Sequence, residues 1–486
     1  LHKNGLTASV FLHAWISPIQ REGKQAPMPE RRWDYPYEQS DLILSKGVAA
    51  YTESYPCVIC EDDFRTKWTG ILKEAVERGV DGVYVMPDEY YFKGHNLEKV
   101  KCSACEREFK KRYGFDSLPK PGAAGAMDYA VGRDPRKAID SDQYRKWKLF
   151  EYEKLAELFD GVAGDLKKVN TNLALIASAN PASPLFSNCR LEHGIALDVI
   201  GRGRNFTHVQ MYGSVPLDYG GHGALARRMR GEFPNAQLSS SIQSLEFNSA
   251  SPSFPMRFYG YLLPHIMNGA TRVDLYRLNY VTDVSKAGDS WWPSVKKGIG
   301  MMRLLDQWDV VSSASSAETC LLFSRASEDW WQVKAQAMIG GSLTDDQRSF
   351  LLYMATEKGL ATAQTDERAR ALNFERFRGM YANKCMESLL IQNGIQYDFR
   401  CLETPGALLG LEKYKLLVLP FGYSMSKDAF NGIRKAVEGG AKLLILDQLA
   451  STDEYGNAYP QPLLQELVGK KNVTYVTLNL AGEGTR

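Results

Sequence analysis

The sequence predicts an α/β protein in which a (β/α)8 TIM barrel is followed by a flavodoxin-like or class I glutamine amidotransferase-like α/β domain. As far as residue 276, short β-branched and aromatic runs alternate with amphipathic runs, as βα units do. No Gly-rich phosphate loop follows an early strand, which disfavours an open doubly wound sheet as the alternative. Beyond residue 312, apolar runs such as KLLVLP and KLLILD are typical of buried parallel strands.

Composition places the chain among ordinary globular proteins and argues against several partners. Its 486 residues, 44% hydrophobic and 24% charged, are enough for two or more domains with large cores. The net charge is only +2, from 59 basic and 57 acidic residues, so nothing favours nucleic acid or an anionic membrane as a partner. No apolar run approaches the roughly 20 residues that span a bilayer. The 11% aromatic residues fit sugar-stacking clefts and large cores equally well.

The first domain, residues 1–312, is expected to be the barrel. Six strands are predicted, at 6–15, 80–86, 173–178, 207–212, 237–245 and 271–276. Apolar residues at helical spacing predict helices at 62–78, 144–169, 224–230 and 255–268. A complete barrel has eight strands, so we expect the first two to lie upstream of Leu1, which is not a methionine.

The second domain, residues 313–486, is expected to begin at the small-residue linker SSASSA, residues 312–317. Its predicted strands cover 318–324, 396–402, 414–420, 442–447 and 473–478, and its helices 345–363, 374–392 and 428–437. A working amidotransferase of this fold needs a nucleophilic Cys where a strand turns into a helix. The strand ends LPFGYSMS and LILDQLAS contain no Cys, so we expect a non-catalytic domain that serves assembly or cleft closure.

Acidic residues follow two of the predicted barrel strands. Asp88 and Glu89 end the strand at 80–86, and Glu246 ends the strand at 237–245. Either glutamate alone is better explained by a salt bridge or a helix N-cap. Together they would face the same mouth, as glycoside hydrolysis requires, with one carboxyl protonated and the other ionised. Asp88 either holds Glu89 in place or is itself the functional acid.

Two C-x-x-C pairs have the spacing of a structural zinc site. Cys57 and Cys60 form one pair, and Cys102 and Cys105 form the other. Their separation is longer than in a compact zinc ribbon, so the fold must bring them together, and the alternative is four unrelated thiols. The remaining cysteines are expected to be buried apolar side chains: Cys189, Cys320, Cys385 and Cys401.

Polar and aromatic residues near the ends of the predicted strands are candidates for contact with a substrate. They are His13, Trp15, Asn180, Tyr212, Asn248 and Tyr276. Trp15 belongs with Trp291 and Trp292 as a possible platform for the apolar face of a sugar, and a core position explains any one of them equally well. The remaining histidines are scattered, and each is individually as well explained by a structural role.

Four segments resemble the glycoside hydrolases related to the family 42 beta-galactosidases. In the barrel they are DGVYVMPDEYY, CSACEREFKKRYG and DQYRKWKLFEYEKLAELF. In the second domain, the segment from YKLLVLPFGYS to EGGAKLLIL is similar to the trimerisation domain of these enzymes. The resemblance implies that Glu89 matches the acid/base, which ends the fourth barrel strand, and that Glu246 matches the nucleophile, which ends the seventh. It also implies a zinc cluster near Cys102 and Cys105.

This resemblance leads us to expect a retaining glycosidase that needs no catalytic cofactor and forms a homo-oligomer, with a trimer as one possibility. One position departs from the family pattern. The acid/base there usually follows an Asn, and here Asp88 precedes Glu89, so no particular sugar is assigned. The same departure leaves open a competing class, a carbohydrate-binding or scaffold protein that has lost the chemistry. A hydrolase that uses Asp88 as its nucleophile is a further alternative.

Overall fold

A computed structural model describes the greater part of the chain. The residues described are 9–11, 62–85, 103–117, 119, 141–179, 196–203, 205–213, 219–243, 254–276, 291–310, 313–342, 375 and 377–477.

Six parallel strands form the first sheet, in chain order. They are β1 (Ser9–Phe11), β2 (Gly82–Val85), β3 (Ala174–Ala179), β4 (His208–Gly213), β5 (Gln237–Gln243) and β6 (Ala270–Tyr276). The helices are α1 (Asp62–Glu77), α2 (Ser103–Tyr113), α3 (Asp142–Val169), α4 (Leu197–Ile200), α5 (Tyr219–Glu232), α6 (Phe254–Met267) and α7 (Trp291–Gln307). The predicted α/β class with parallel sheets is confirmed.

The first sheet is curved, because side chains of its second and sixth strands meet. Arg272 of β6 donates a hydrogen bond from Nη2 to the hydroxyl of Tyr84 in β2, with 2.6 Å between the two atoms. β3, β4 and β5 lie between them in the sheet. In a flat sheet with strands about 4.8 Å apart, the two backbones would be about 19 Å apart, too far for this bond. The strands therefore curl like the wall of a barrel.

Helices cover the outer face of this sheet. Val83 and Val85 of β2 are buried in one apolar core with Leu175, Val209 and Leu238 of the next three strands. The helices contribute the residues Leu72, Val76, Leu155, Phe159, Val162, Leu225 and Met229. Because successive strand residues point to opposite faces, Tyr84, between Val83 and Val85, belongs to the inner face.

Helix α3 connects three separate apolar clusters. It has 28 residues, which gives a length of about 42 Å, and the side chain of Ser141 caps its first turn by accepting from the amide of Tyr144. Its second half packs on the first sheet. Its first half packs against α2 through Trp147 and Phe150. Tyr144 and Tyr152 lie in a further cluster with Ala326 and Trp330, from the helix that follows the first strand of the second sheet.

In the second sheet, every strand pair that the structure describes is parallel. Its strands are β7 (Thr319–Phe323), β8 (Tyr397–Cys401), β9 (Leu416–Leu419), β10 (Lys442–Leu446) and β11 (Val473–Val476), with α8 (Arg325–Ser342), α9 (Arg378–Gln392) and α10 (Lys427–Glu438). The spatial order is β8-β7-β9-β10-β11. Numbered within this sheet, that is the order 2-1-3-4-5 of flavodoxin-like doubly wound sheets. The predicted boundary between residues 312 and 313 stays a prediction.

Two long helices of the structure, α7 and α8, were not predicted from the sequence. A helical hairpin-like region was predicted after β7 at 345–363, which lies outside the described residues, whereas α8 begins at Arg325 directly after the strand. Every residue from Arg325 to Val333 is buried. A helix buried on all sides shows no alternation of polar and apolar faces, so periodicity does not reveal it.

The two sheets are joined through a buried polar contact. Arg325 of α8 pairs with Asp198 of α4 at 2.9 Å and with Asp329 at 3.1 Å, and all three residues are buried. The hydroxyl of Tyr152 in α3 donates to the same Asp329 carboxylate at 3.1 Å. Burial alone would lower the pKa of Arg325, but the neighbouring carboxylates raise it well above its usual value, so the guanidinium stays charged.

A membrane-spanning helix must be both long and apolar, and the helices that the structure describes fall short of this: none of them is both long enough and apolar enough to cross a bilayer.

Candidate active site

The structure describes only a few of the residues predicted to carry chemistry. Tyr212 lies in β4 and Tyr276 in β6, near the carboxyl end of each strand, and Cys105 lies in α2. The other predicted site residues lie outside the described residues: Glu89, Glu246, Asp88, His13, Trp15, Asn180, Asn248, Cys57, Cys60 and Cys102.

The strands that precede the two candidate glutamates lie in one parallel sheet. Glu89 follows the last described residue of β2, Val85, after a short interval, and Glu246 follows Gln243 of β5 in the same way. All pairs from β1 to β6 are parallel, so the carboxyl ends of β2 and β5 lie on the same edge. In barrels of this type, chemistry takes place at that edge.

Below this edge, the inner face of the sheet is polar. Tyr84 and Arg272 meet there, and Gln210 of β4 and Ser239 of β5 are only 8% and 0% exposed. Barrel interiors are usually filled by Val, Ile and Leu. A polar interior costs desolvation energy unless its groups are hydrogen-bonded, and it is a common feature of a working site.

A β-bulge brings Arg272 to this inner face. Leu238 pairs with Ala270, but the next residue, Ser239, pairs with Arg272, so Thr271 is the extra residue. Leu238 and Ala270 both pack in the outer core. Without the extra residue, strict alternation would turn Arg272 outwards as well. Arg272 was not predicted from the sequence, because a bulge leaves no mark in the run ATRVDLY.

Two of the scattered histidines have structural positions. His208 is the first residue of β4, at the amino edge of the sheet, and its Nδ1 lies 2.8 Å from the Thr207 hydroxyl oxygen. That oxygen also accepts from the amide of Leu175 at 2.9 Å. His265 is buried within α6. Both lie away from the carboxyl edge of the sheet.

Cys105 lies in the first turn of α2 and is fully buried. It packs with Phe109 of the same helix and with Trp147 and Phe150 of α3. The ring of Phe109 meets that of Trp147 edge-on, with centroids 5.5 Å apart. Among the described residues, no three His, Cys, Asp or Glu side chains are grouped as metal ligands would be. The zinc site therefore stays a prediction.

At the carboxyl edge of the second sheet, the start of α8 is occupied by a side chain of the protein itself. Doubly wound sheets bind ligands at the carboxyl ends of the strands where the order reverses, which is here between β7 and β9. There the Glu403 carboxylate accepts hydrogen bonds at 2.8–3.0 Å from the Ser324 hydroxyl and the amides of Arg325 and Ala326. The position at the start of α8, which favours an anion, is thus taken by Glu403.

Neither a family model nor a curated protein matches this sequence. Solved structures do resemble it in fold. The beta-galactosidase from Bacillus circulans sp. alkalophilus superposes with a TM-score of 0.55 at 14% identity, over 83% of this chain and 58% of that one. The beta-galactosidase from Rahnella sp. R3 gives 0.54 at 13% identity, over 90% and 63%. A catalytic mutant of a GH42 beta-galactosidase from G. stearothermophilus gives 0.52 at 14% identity, over 88% and 62%.

The chain thus spans 58–63% of the length of these structures. Identities this low speak for the architecture and leave activity and substrate open. The curved parallel sheet with outer helices agrees with the likeness. This chain therefore has the fold of the GH42 beta-galactosidases, whose first part is a TIM barrel.

Proposed function

We propose that the protein is a retaining glycoside hydrolase, with Glu89 as acid/base and Glu246 as nucleophile. The observation that carries this proposal is the position of β2 and β5 in one curved, parallel sheet with a glycoside hydrolase fold. Each strand leads into one of the two glutamates in the sequence. A retaining mechanism needs the two carboxyl groups about 5–5.5 Å apart across the mouth.

The spacing of the two strands supports the assignment. In the family that the sequence resembles, the acid/base and nucleophile end the fourth and seventh barrel strands, three positions apart. β2 and β5 are likewise three positions apart in the sheet.

A panel of aryl glycosides tests the activity, beginning with beta-galactosides because the structural neighbours bear that name. We expect hydrolysis with retention, and we expect Glu246→Gln and Glu89→Gln each to abolish it. Azide should rescue Glu246→Gly as a glycosyl azide of inverted configuration. Glu438→Gln, an exposed carboxylate on α10, is the control and should keep full activity.

Other outcomes would favour the alternatives. If Asp88→Gly were rescued by azide and Glu246→Gly were not, Asp88 would be the nucleophile. A folded protein that hydrolyses no glycoside in the panel but binds one would be a carbohydrate-binding or scaffold protein.

We further propose a structural zinc ion held by Cys57, Cys60, Cys102 and Cys105. Cys105 is a candidate because it lies in the first turn of α2, where unpaired backbone amides favour an anionic ligand. Four thiolates leave no open position for water, so the metal would stabilise the fold and take no part in bond cleavage.

Elemental analysis of purified protein tests the zinc proposal, with about one zinc ion expected per chain. Cys105→Ser should lower both zinc content and melting temperature. Cys385→Ser is the control, since Cys385 is an exposed thiol on α9 and the expectation that it is buried was wrong. Metal-free protein of normal stability would contradict the proposal.

We also propose a homo-oligomer, because the segment 414–446 is similar to a trimerisation domain. Closed cyclic assemblies are common among homo-oligomers. Light scattering should give about three times the mass of one chain, and a monomer at micromolar concentration would contradict the proposal.

A further inference from the structure

Regular β structure alone does not explain why Arg272 lies on the inner face of the sheet. The chain departs from regular β structure, through the bulge at Thr271, to bring a cation into the barrel. Burying part of a guanidinium group costs free energy unless the group is well hydrogen-bonded. A guanidinium group in a barrel interior therefore indicates a role beyond stabilising the fold. Bulges of this kind occur next to active sites, where they redirect a side chain.

Arg272 is hydrogen-bonded to Tyr84, a residue of β2. Its hydrogen bond to the Tyr84 hydroxyl, at 2.6 Å, crosses the barrel from β6 to β2. The guanidinium carbon also lies 5.5 Å from the centre of the Tyr84 ring. β2 is the strand that leads to Glu89, and β6 is paired by its backbone with β5, which leads to Glu246. The bond therefore ties the strand of one candidate carboxylate to the neighbour of the other.

We propose that Arg272 and Tyr84 form a brace across the barrel that sets the separation of the two catalytic carboxylates. The inference rests on the proposed function, and it makes Arg272 and Tyr84 positioning residues. A retaining mechanism tolerates only a narrow range of carboxyl separations. A misplacement of about 1 Å can cost on the order of 100-fold in rate, so a short, charge-assisted bond between the strands matters for turnover.

The test measures kcat and KM on the best aryl glycoside for three variants. Tyr84→Phe removes only the hydroxyl, and Arg272→Met removes the charge and the fork of donors. We expect kcat to fall roughly tenfold to 100-fold in each, with KM little changed, because the brace acts on the reacting geometry. The double variant should be no slower than Arg272→Met, because the two residues form one unit.

Arg230→Met is the matched control. Arg230 lies on the outside of the barrel, where it donates to the carbonyl of Asn268 at 3.2 Å, and its removal should leave kcat unchanged. Melting curves show whether each variant is folded. Tyr84→Phe keeps the ring and loses a single oxygen, so it remains a usable test if Arg272→Met does not fold.

The outcomes separate this inference from the proposed function. An active wild-type protein whose Tyr84→Phe variant has normal kcat would overturn the brace alone, as would fully additive losses in the double variant. A fall in melting temperature with unchanged kcat would show a merely structural contact and would also overturn it. A wild-type protein without glycosidase activity would overturn both.

Discussion

Arg325 shows how strongly one residue can join the two sheets. Its guanidinium is buried between the carboxylates of Asp198, from the first sheet's helices, and Asp329 of α8. Asp198 has a second partner in Arg202, at 3.4 Å, and Asp329 has one in the Tyr152 hydroxyl. Two of these contacts, Arg325 with Asp198 and Tyr152 with Asp329, join α8 to helices of the first sheet.

We predict that Arg325→Met destabilises the protein by about 3–5 kcal/mol. The substitution leaves two buried carboxylates without their main cation, and such uncompensated charge is costly. Urea unfolding followed by tryptophan fluorescence measures the change. Arg434→Met is the control, because Arg434 forms an exposed pair with Glu466 at 3.4 Å, and its loss should cost no more than about 1 kcal/mol. Equal effects of the two variants would contradict the prediction.

Glu387 is predicted to make stability depend on pH. Burial raises its pKa to about 7, although Arg228, Arg227 and Lys384 oppose the shift, and Glu328 adds to it. A folded-state pKa above the ordinary value of 4.5 means that the folded protein holds the proton more tightly. The contribution of this proton is therefore fully present below about pH 4.5 and is lost as the pH rises through about 7.

The measurement compares unfolding midpoints at pH 5 and pH 8. Wild type should lose more stability over this interval than Glu387→Gln, which has no proton to release there. Glu412→Gln, with an exposed side chain, should follow wild type. If Glu387→Gln lost as much stability as wild type, the proton on Glu387 would not be the cause.

At the scale of elements, the strands were predicted better from the sequence than the helices. Alternating or fully apolar runs mark a strand directly, so all six strands of the first sheet were found, although β1 is described only at Ser9–Phe11. Helix α8 was missed because burial on all sides removes its periodicity. The prediction for α9 began at residue 374, whereas the helix begins at Arg378.

From the sequence, only those residues of the candidate site whose side-chain type suggests a catalytic role could be proposed. Carboxylates after predicted strands can be recognised in a sequence, and Glu89 and Glu246 were proposed in this way. Both lie outside the described residues, so their roles stay predictions. The pairing of Arg272 with Tyr84 joins residues far apart in the chain through a curved sheet and a bulge. Neither the curvature nor the bulge follows from local sequence, because both depend on how several strands pack together.

At the scale of the whole molecule, two glycines report on the packing of the two sheets. Gly231, near the end of α5, lies against Phe399 of β8, and an added Cβ would come within 2.6 Å of the ring and 2.9 Å of its carbonyl oxygen. Gly300, within α7, has nothing within 4 Å of that position. An alanine side chain at position 231 would therefore clash with β8, whereas one at position 300 would lie in open space.

We predict opposite signs for the two alanine variants. Gly231→Ala should destabilise the protein by about 1–3 kcal/mol, because α5 must move away from β8 to make room. Gly300→Ala should stabilise it by about 0.5–1 kcal/mol, because alanine restricts the unfolded chain and favours the helix. Thermal unfolding of both proteins under the same conditions gives the comparison. A stabilising Gly231→Ala would mean that α5 and β8 pack less tightly than described.

Helix α3 has a consequence for how the protein opens. Side chains of this helix belong to three apolar clusters. Unfolding of any one cluster therefore leaves the helix held by the other two, and its backbone hydrogen bonds stay intact. Amide protons near Trp147, Leu155 and Phe159 should therefore exchange with deuterium only when the whole molecule unfolds. The amides of α7, whose Ile299 and Leu304 are exposed, should exchange much earlier. Pulse-labelling mass spectrometry should then find α3 among the last peptides to take up deuterium and among the first to be protected on refolding.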